Sequence, residues 1–407
     1  MNWKIEHACP QCGAPVVLDE ADRLFACPFC RTKLHLATPD HFRYHIPAPD
    51  RGTGDRLYLP YWRLRGTSYT VRAGEIIPRF ADASILAAGA QGLPRSLGLR
   101  PQAMTVRYTS PDMPGRFMEA SLQARSAIPV MEASDPAGQA DYRAFVGETV
   151  SLVYAPADLR GGMLYDALLK RPLAKWNEDA AGRHPSEMKP PNWQVRFLST
   201  LCPHCGWDLD GERDTQIMLC RNCDSAWQCT GTRFERVPFS VMAASTRQPV
   251  LYLPFWRMTP RLEGLPLRSY ADLIRLANLP RAMDSGFEEK PVFFWAPAFK
   301  LSPALFLRWS RQMTAFQPEG KAGESLAGAS FHTATLAGRE AVESMKITLA
   351  GLVVDKRRVH PRLTEIKVSA AEILLVYHPF VIGRHELVHE TMRIAVDQTS
   401  LRFGAYL

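Results

Sequence analysis

Hydrophobic and polar positions along the chain follow two periods. From Leu57 to Arg72 bulky and polar residues alternate on either side of Gly66-Thr67. That period-two pattern belongs to half-buried strands and predicts a hairpin turning at the glycine. Pro60 cannot donate to a ladder, and neither can Pro254 in the related run 251–257, so these strands are placed at a sheet edge or a bulge. The tail carries the same signature, with strands predicted at Ile373-Leu-Leu-Val-Tyr377 and Met392-Arg-Ile-Ala-Val396. Helical spacing is rarer: Ser302 to Met313, Gly338 to Ala350, and the region around Asp82 to Ala88. Ser302 reads as an N-cap with Pro303 at the first helical position, and the apolar run from Val292 before them as a buried strand. The predicted class is α+β, mainly β.

Several patterns recur in the same order. Leu57-Tyr-Leu-Pro-Tyr-Trp-Arg63 returns as Leu251-Tyr-Leu-Pro-Phe-Trp-Arg257, Leu93-Pro-Arg95 as Leu279-Pro-Arg281, and Leu152-Val-Tyr-Ala-Pro156 as Leu375-Val-Tyr-His-Pro379. Shared order makes coincidence a poor explanation and points to a tandem duplication. The expected organisation is a ribbon over 1–36, a β-rich domain over 37–182, a Pro-rich polar linker over 183–195, a second ribbon over 196–230 and a second β-rich domain over 231–407. Gly320 to Ala329 reads as a flexible loop.

Cysteine spacing supplies the chemistry. Cys9, Cys12, Cys27 and Cys30 form CxxC-x14-CxxC, and Cys202, Cys205, Cys220 and Cys223 repeat that spacing without a residue of difference. Each CxxC makes a tight turn presenting two thiolates, and two such turns close a tetrahedron around one metal, so each quartet predicts a zinc ribbon. A redox pair calls for a single CxxC beside a βαβ pattern, whereas here the pairs come in twos. Four thiolates leave no coordination position for water or substrate, so the two zinc ions are structural. Cys229 stands outside both quartets, with no nucleophile signature around it, and reads as an idle thiol.

Length and composition narrow the picture. With 407 residues, 46% hydrophobic and 22% charged, the chain has the make-up of a soluble globular protein with several cores. Thiols arranged as metal ligands suit a reducing compartment, no apolar leader follows Met1, and no apolar run is long enough to span a bilayer, which places the expectation in the cytoplasm. A membrane surface remains a possible contact for the aromatics of 292–309. A net charge of +8 invites a nucleic-acid partner. Against it, the ribbon tips Leu18 to Arg23 and Asp208 to Asp214 are net acidic and repel phosphate.

His385-Glu-Leu-Val-His389 spells HExxH, which on a helix places two histidines on one zinc with Glu386 activating its water. The surrounding β pattern argues for a strand instead, where residues four apart lie about 13 Å from each other and cannot chelate one ion. Gly320-Lys-Ala-Gly-Glu-Ser325 lacks the order of a phosphate-binding loop, and neither a GxSxG elbow nor a GxGxxG after a strand is present. Trp62, Arg63, Trp256 and Arg257 read either as a binding face or, in preference, as core.

The ribbon followed by Tyr58, Pro60 and Trp62, and again by Tyr252, Pro254 and Trp256, resembles poorly characterised bacterial proteins labelled as carrying a transcription-factor-IIB-type zinc ribbon. The knuckles Cys9-Pro-Gln-Cys-Gly13 and Cys27-Pro-Phe-Cys30 also resemble those of rubredoxins, which keeps iron as the alternative metal. The resemblance implies a ribbon shape and no activity. The function expected is a non-enzymatic zinc-binding adaptor that engages protein partners through acidic ribbon tips and edge strands. Nucleic-acid binding is the alternative, and a hydrolase built on His385, Glu386 and His389 the third reading.

Overall fold

The computed structural model describes residues 3–48, 55–90, 92–98, 105–124, 126–128, 140–176, 188–323, 325–392 and 394–404. Strands dominate, at 43% against 15% helix, so the chain is α+β and mainly β. Among the described residues the first half builds a ten-stranded sheet and the second an eight-stranded one, with a three-stranded sheet at each ribbon.

The duplication extends to the register of the backbone. The signature strand Asp55–Arg72 runs antiparallel to Tyr142–Arg160, with Tyr58 opposite Pro156, Pro60 opposite Tyr154 and Trp62 opposite Leu152. In the second half Val250–Glu263 runs antiparallel to Lys367–Ile382, with Tyr252 opposite Pro379, Pro254 opposite Tyr377 and Trp256 opposite Leu375. The same aromatic triad recurs on each pair. Tyr58 stacks on Phe117 at 4.4 Å and Phe117 meets Tyr154 edge-on at 4.9 Å. Tyr252 stacks on Phe331 at 5.2 Å and Phe331 meets Tyr377 at 4.9 Å. Each tryptophan indole donates to a loop carbonyl, Trp62 to Leu122 at 2.7 Å and Trp256 to Leu336 at 2.9 Å, which satisfies the one polar atom a buried indole carries. Trp62, Arg63 and Trp256 are buried, so the core reading of these positions holds.

Several local expectations give way to tertiary structure. Asp55–Arg72 is one strand without a turn at Gly66. Gly66 instead pairs with Gly147, next to a bulge between Gly147 and Thr149, and the chain reverses at Ala73-Gly74, where φ is 50° and 83°. Two successive positive φ values match the twist of a two-residue hairpin. The partner of that hairpin, Glu75–Leu86, is a strand, so no helix forms around Asp82 to Ala88. Nor are the signature strands at an edge. Asp55–Arg72 is flanked by Tyr142–Arg160 on one side and by Arg116–Phe117 and Glu75–Leu86 on the other. Pro60 sits in the gap where the second flank passes from one partner to the next, where no ladder N–H is missed; its carbonyl accepts from Ala87 N–H at 2.9 Å. Pro254 does the same with Ala298 N–H at 2.9 Å.

Helices cover the second half. Pro303–Phe316 starts after Ser302 with Pro303 in the first turn, although the Ser302 side chain makes no capping hydrogen bond, and Gly338–Leu352 runs two residues past its predicted end at Ala350. The strand expected at Met392–Val396 is confined to Ala395–Asp397. Leu326, in the loop expected to be flexible, is fully buried and donates its N–H to Asp224 at 2.9 Å. Part of the linker, 183–187, lies outside the described residues; beyond it Met188, Trp193 and Val195 pack into the core of the first half. The halves also share a core, because Tyr69, Val71, Ala144 and Val146 join the hydrophobic cluster of the second half. Tyr69 donates its hydroxyl to Pro303 O at 3.1 Å from inside that contact.

Candidate metal centres

Each ribbon is built from two knuckles whose backbone is dictated by the thiolates they present. In the first knuckles Gly13 N–H returns to Cys9 O at 2.8 Å and Gly206 N–H to Cys202 O at 2.9 Å. The turn demands a left-handed residue, and Gly13 and Gly206 supply it at φ 73° and 74°. In the second knuckles the same place is taken by Arg31 and Asp224, at φ 61° and 45°.

These turns bring each quartet together. The sulfurs of Cys9, Cys12, Cys27 and Cys30 lie within 4.8 Å of one another, as do those of Cys202, Cys205, Cys220 and Cys223. Closest approaches are 3.8 Å for Cys9–Cys30, 3.7 Å for Cys12–Cys27, 3.7 Å for Cys202–Cys223 and 3.5 Å for Cys205–Cys220. A tetrahedral centre with metal–sulfur bonds of about 2.3 Å has edges of about 3.8 Å, so both quartets could hold an ion with little movement. The thiols are not equivalent. The Thr32 hydroxyl, 3.3 Å from Cys30 Sγ, brings that thiol down to about 6, and the Asn222 side chain does the same for Cys205. Burial pushes Cys220 up to about 12.

The ribbons are joined to one another. The sheet of the first is completed by Arg196–Ser199, whose Phe197 faces Leu36 and Leu198 faces His35. In the second ribbon that position is filled by its own return strand, Arg233–Val237. Sixteen positions separate Cys223 from Phe239 but only twelve separate Cys30 from Phe42, so the first ribbon is too short for a return strand and takes one from the segment leading to its twin.

The acidic tips also meet. Arg23 and Leu24 N–H both donate to Arg213 O, at 2.6 and 2.9 Å. The Arg213 guanidinium pairs with Asp22 at 2.5 Å and approaches Asp19 at 3.7 Å. Gly211 permits the approach, since a Cβ there would stand 2.7 Å from Leu24. Glu20 is buried against Arg63, which also pairs with Asp82 at 3.0 Å. The acids of the first tip, Asp19, Glu20 and Asp22, are thus paired inside the molecule, whereas Asp208, Asp210 and Glu212 of the second tip remain exposed.

HExxH has a structural explanation. Glu386–His389 is a strand paired with Lys367–Ile382, His385 and Glu386 are exposed, and His389 is buried. Among the described residues these three join no metal-binding group. His389 Nδ1 accepts from Thr391 and Met392 N–H at 3.2 and 3.3 Å. In the first half the equivalent residue, Asp166, accepts from Leu168 and Leu169 N–H at 2.9 and 3.0 Å. The last histidine of the motif therefore caps a turn.

Sequence reasoning did not anticipate the Arg63–Glu20 pair or the exposed apolar side chains Phe29 and Trp207, 65% and 61% accessible, which flank the knuckles. The position of Phe29 inside CxxC was the available signal for the latter. No helix of the described residues is long and apolar enough to cross a membrane. No protein-family model, no curated protein and no solved structure matches this chain.

Proposed function

We propose that the chain is a non-enzymatic adaptor that binds two structural zinc ions and engages a protein partner through the knuckle faces of its ribbons. The observation that carries this reading is the exposure of Phe29 and Trp207 beside the metal-binding turns. Large apolar side chains left in water on a metal-fixed turn contribute nothing to the core and suit a partner surface. All-thiolate donor sets support structural rather than catalytic metal, because every coordination position is taken by protein. Zinc is preferred over iron for its abundance in closed four-thiolate ribbons. The resemblance to bacterial proteins with a transcription-factor-IIB-type ribbon is part of the same proposal. With the first acidic tip internally paired and the signature strands central, the knuckles are the preferred binding region.

The test is crosslinking affinity purification of the tagged chain from its native cells, followed by mass spectrometry. A dominant protein lost on Phe29→Ser plus Trp207→Ser, with metal content unchanged, supports the reading. Recovery unaffected by those changes overturns the knuckle assignment. Nucleic-acid binding is the second reading, favoured by the +8 charge. It requires affinity that falls steeply with salt.

A further inference from the structure

The Gly338–Leu352 helix ends in a corner of unmatched positive charge. Beyond Val353 the chain passes through Val354 and Asp355 into a short helical turn, Lys356–Val359. Val354, Lys356, Arg357 and Arg358 are exposed there. Arg311 of the Pro303–Phe316 helix joins them. A Cβ at Gly351 would stand 2.6 Å from Arg311 Cδ, so the missing side chain is what lets this arginine lie across the end of the Gly338–Leu352 helix. The first half reaches the same place, because the hairpin turn at Gly74 packs on the Lys356 side chain, with Lys356 Cδ 3.8 Å from where a Cβ would be.

The charges of this corner do not cancel. Among the described residues the side chains of Arg311, Lys356, Arg357 and Arg358 make no ion pair and no hydrogen bond. At the hairpin turn Arg72 stands opposite Glu75, cation against acid. That leaves the four cations set against Asp355, which already caps its own turn by accepting Arg358 N–H at 3.2 Å. The carboxyl end of the helix balances only about half a charge. On the flanks, by contrast, cations have acids. Arg362 pairs with Glu365 at 3.5 Å and Lys367 with Glu263 at 2.9 Å. On the side where Val354 N–H donates to Leu276 O, Arg275 pairs with Asp272 at 3.2 Å and with Glu288.

The make-up of the corner selects its partner. Arginine forks grip phosphate oxygens in pairs, and cations lacking an acid gain by displacing counterions from a polyanion. Val354 is the one large apolar side chain exposed among them. A bilayer surface calls for an apolar face to bury, and a single strand for rings on which its bases stack. A duplex backbone needs charge alone.

We propose that this corner binds the phosphate backbone of duplex nucleic acid, without regard to sequence, through Arg311, Lys356, Arg357 and Arg358. The proposal rests on the nucleic-acid reading, to which it gives a place on the chain, and is independent of the knuckle faces.

The experiment is fluorescence anisotropy of a labelled DNA duplex of mixed sequence, titrated with the full, metal-loaded chain at several salt concentrations. With four phosphate contacts, log affinity is expected to fall against log salt with a slope of about −3.6, a loss of about a hundredfold between about 50 and 200 mM. Arg357→Gln with Arg358→Gln is expected to reduce that slope to about half. Arg236→Gln with Arg384→Gln, which takes equal charge from exposed residues of other elements, is expected to leave it unchanged. Should the first pair fail to fold, Arg311→Gln is expected to lower the slope by about one. A slope that the corner variants leave intact, or that the remote pair reduces as much, overturns the corner while the nucleic-acid reading stands. No duplex binding overturns both, as does binding to phosphatidylserine vesicles in its place. Tighter binding of the single strand than of the duplex overturns the choice of partner.

Discussion

Lowering the pH should destabilise the second half through one pair of buried histidines. His389 Nε2 lies 3.2 Å from His378 Nδ1. Because His389 Nδ1 accepts two backbone N–H groups, the proton of His389 is on Nε2 and is donated to His378. His378 must then carry its own proton on Nε2, where the ring stands edge-on to Trp295 and Phe255 with no polar partner. Neither ring can accept a second proton without breaking this arrangement. Burial lowers His389 from 6.5 to about 4 and holds His378 well below the usual histidine value. The folded values lie below the unfolded ones, so the unfolded chain takes up protons first as pH falls. Stability is therefore complete above about pH 6.5 and drains away toward pH 4. For His389 alone, going from pH 7.5 to 5.5 costs about 1.4 kcal/mol. The assay is urea unfolding of wild type and His389→Leu at both pH values, with histidine Cε1–H chemical shifts recorded alongside. The variant is expected to be less stable at pH 7.5, having orphaned two backbone donors, but to lose about 1.4 kcal/mol less on acidification. Equal acid losses in the two proteins, or a His389 titration near its unperturbed value, would refute the assignment.

Changing Cys202, Cys205, Cys220 and Cys223 together to Ser should lower metal content from about two to about one ion per chain, read by elemental mass spectrometry; unchanged content would sink the ribbon assignment. Arg63→Leu should destabilise by about 3–5 kcal/mol in chemical denaturation, because it strands the buried Glu20 carboxylate, whereas Arg63→Leu with Glu20→Leu should recover most of the loss. A double variant no better than the single one would show that the pair is not what the site requires. Arg213→Ala should cost about 1 kcal/mol and speed hydrogen exchange of Arg23 and Leu24 while leaving metal content unchanged. Exchange that stays as slow as in wild type would mean the backbone contact alone holds the ribbons together.

The metal quartets were legible in the sequence because their chemistry is local: CxxC fixes a turn, and its glycine at position 13 or 206 needs only the next few residues to adopt positive φ. The duplication was legible as well, since Tyr58, Pro60 and Trp62 and their counterparts Tyr252, Pro254 and Trp256 are held by contacts that recur with them. The start of the Pro303–Phe316 helix followed from its first-turn proline. HExxH could be set aside as helical on β pattern alone, though the reason for His389 emerged only beside Asp166.

Long-range partners decided the rest. Alternation around Gly66 is the same for a hairpin and for a straight strand, and the choice was made by Gly147 across the ladder. Proline at an edge and proline at a change of partner both forgo one donor, so Pro60 and Pro254 could not report which applied. Net acidity of the ribbon tips was a property of composition. The pairing of Asp22 and Glu20 in the first tip with Arg213 and Arg63 depended on contacts separated by 191 and 43 positions. What the sequence determined by itself was what short-range geometry and metal chemistry enforce. What the tertiary structure decided was which strand lies beside which, and which charges meet in the interior, because those energies exist only once distant segments are packed together.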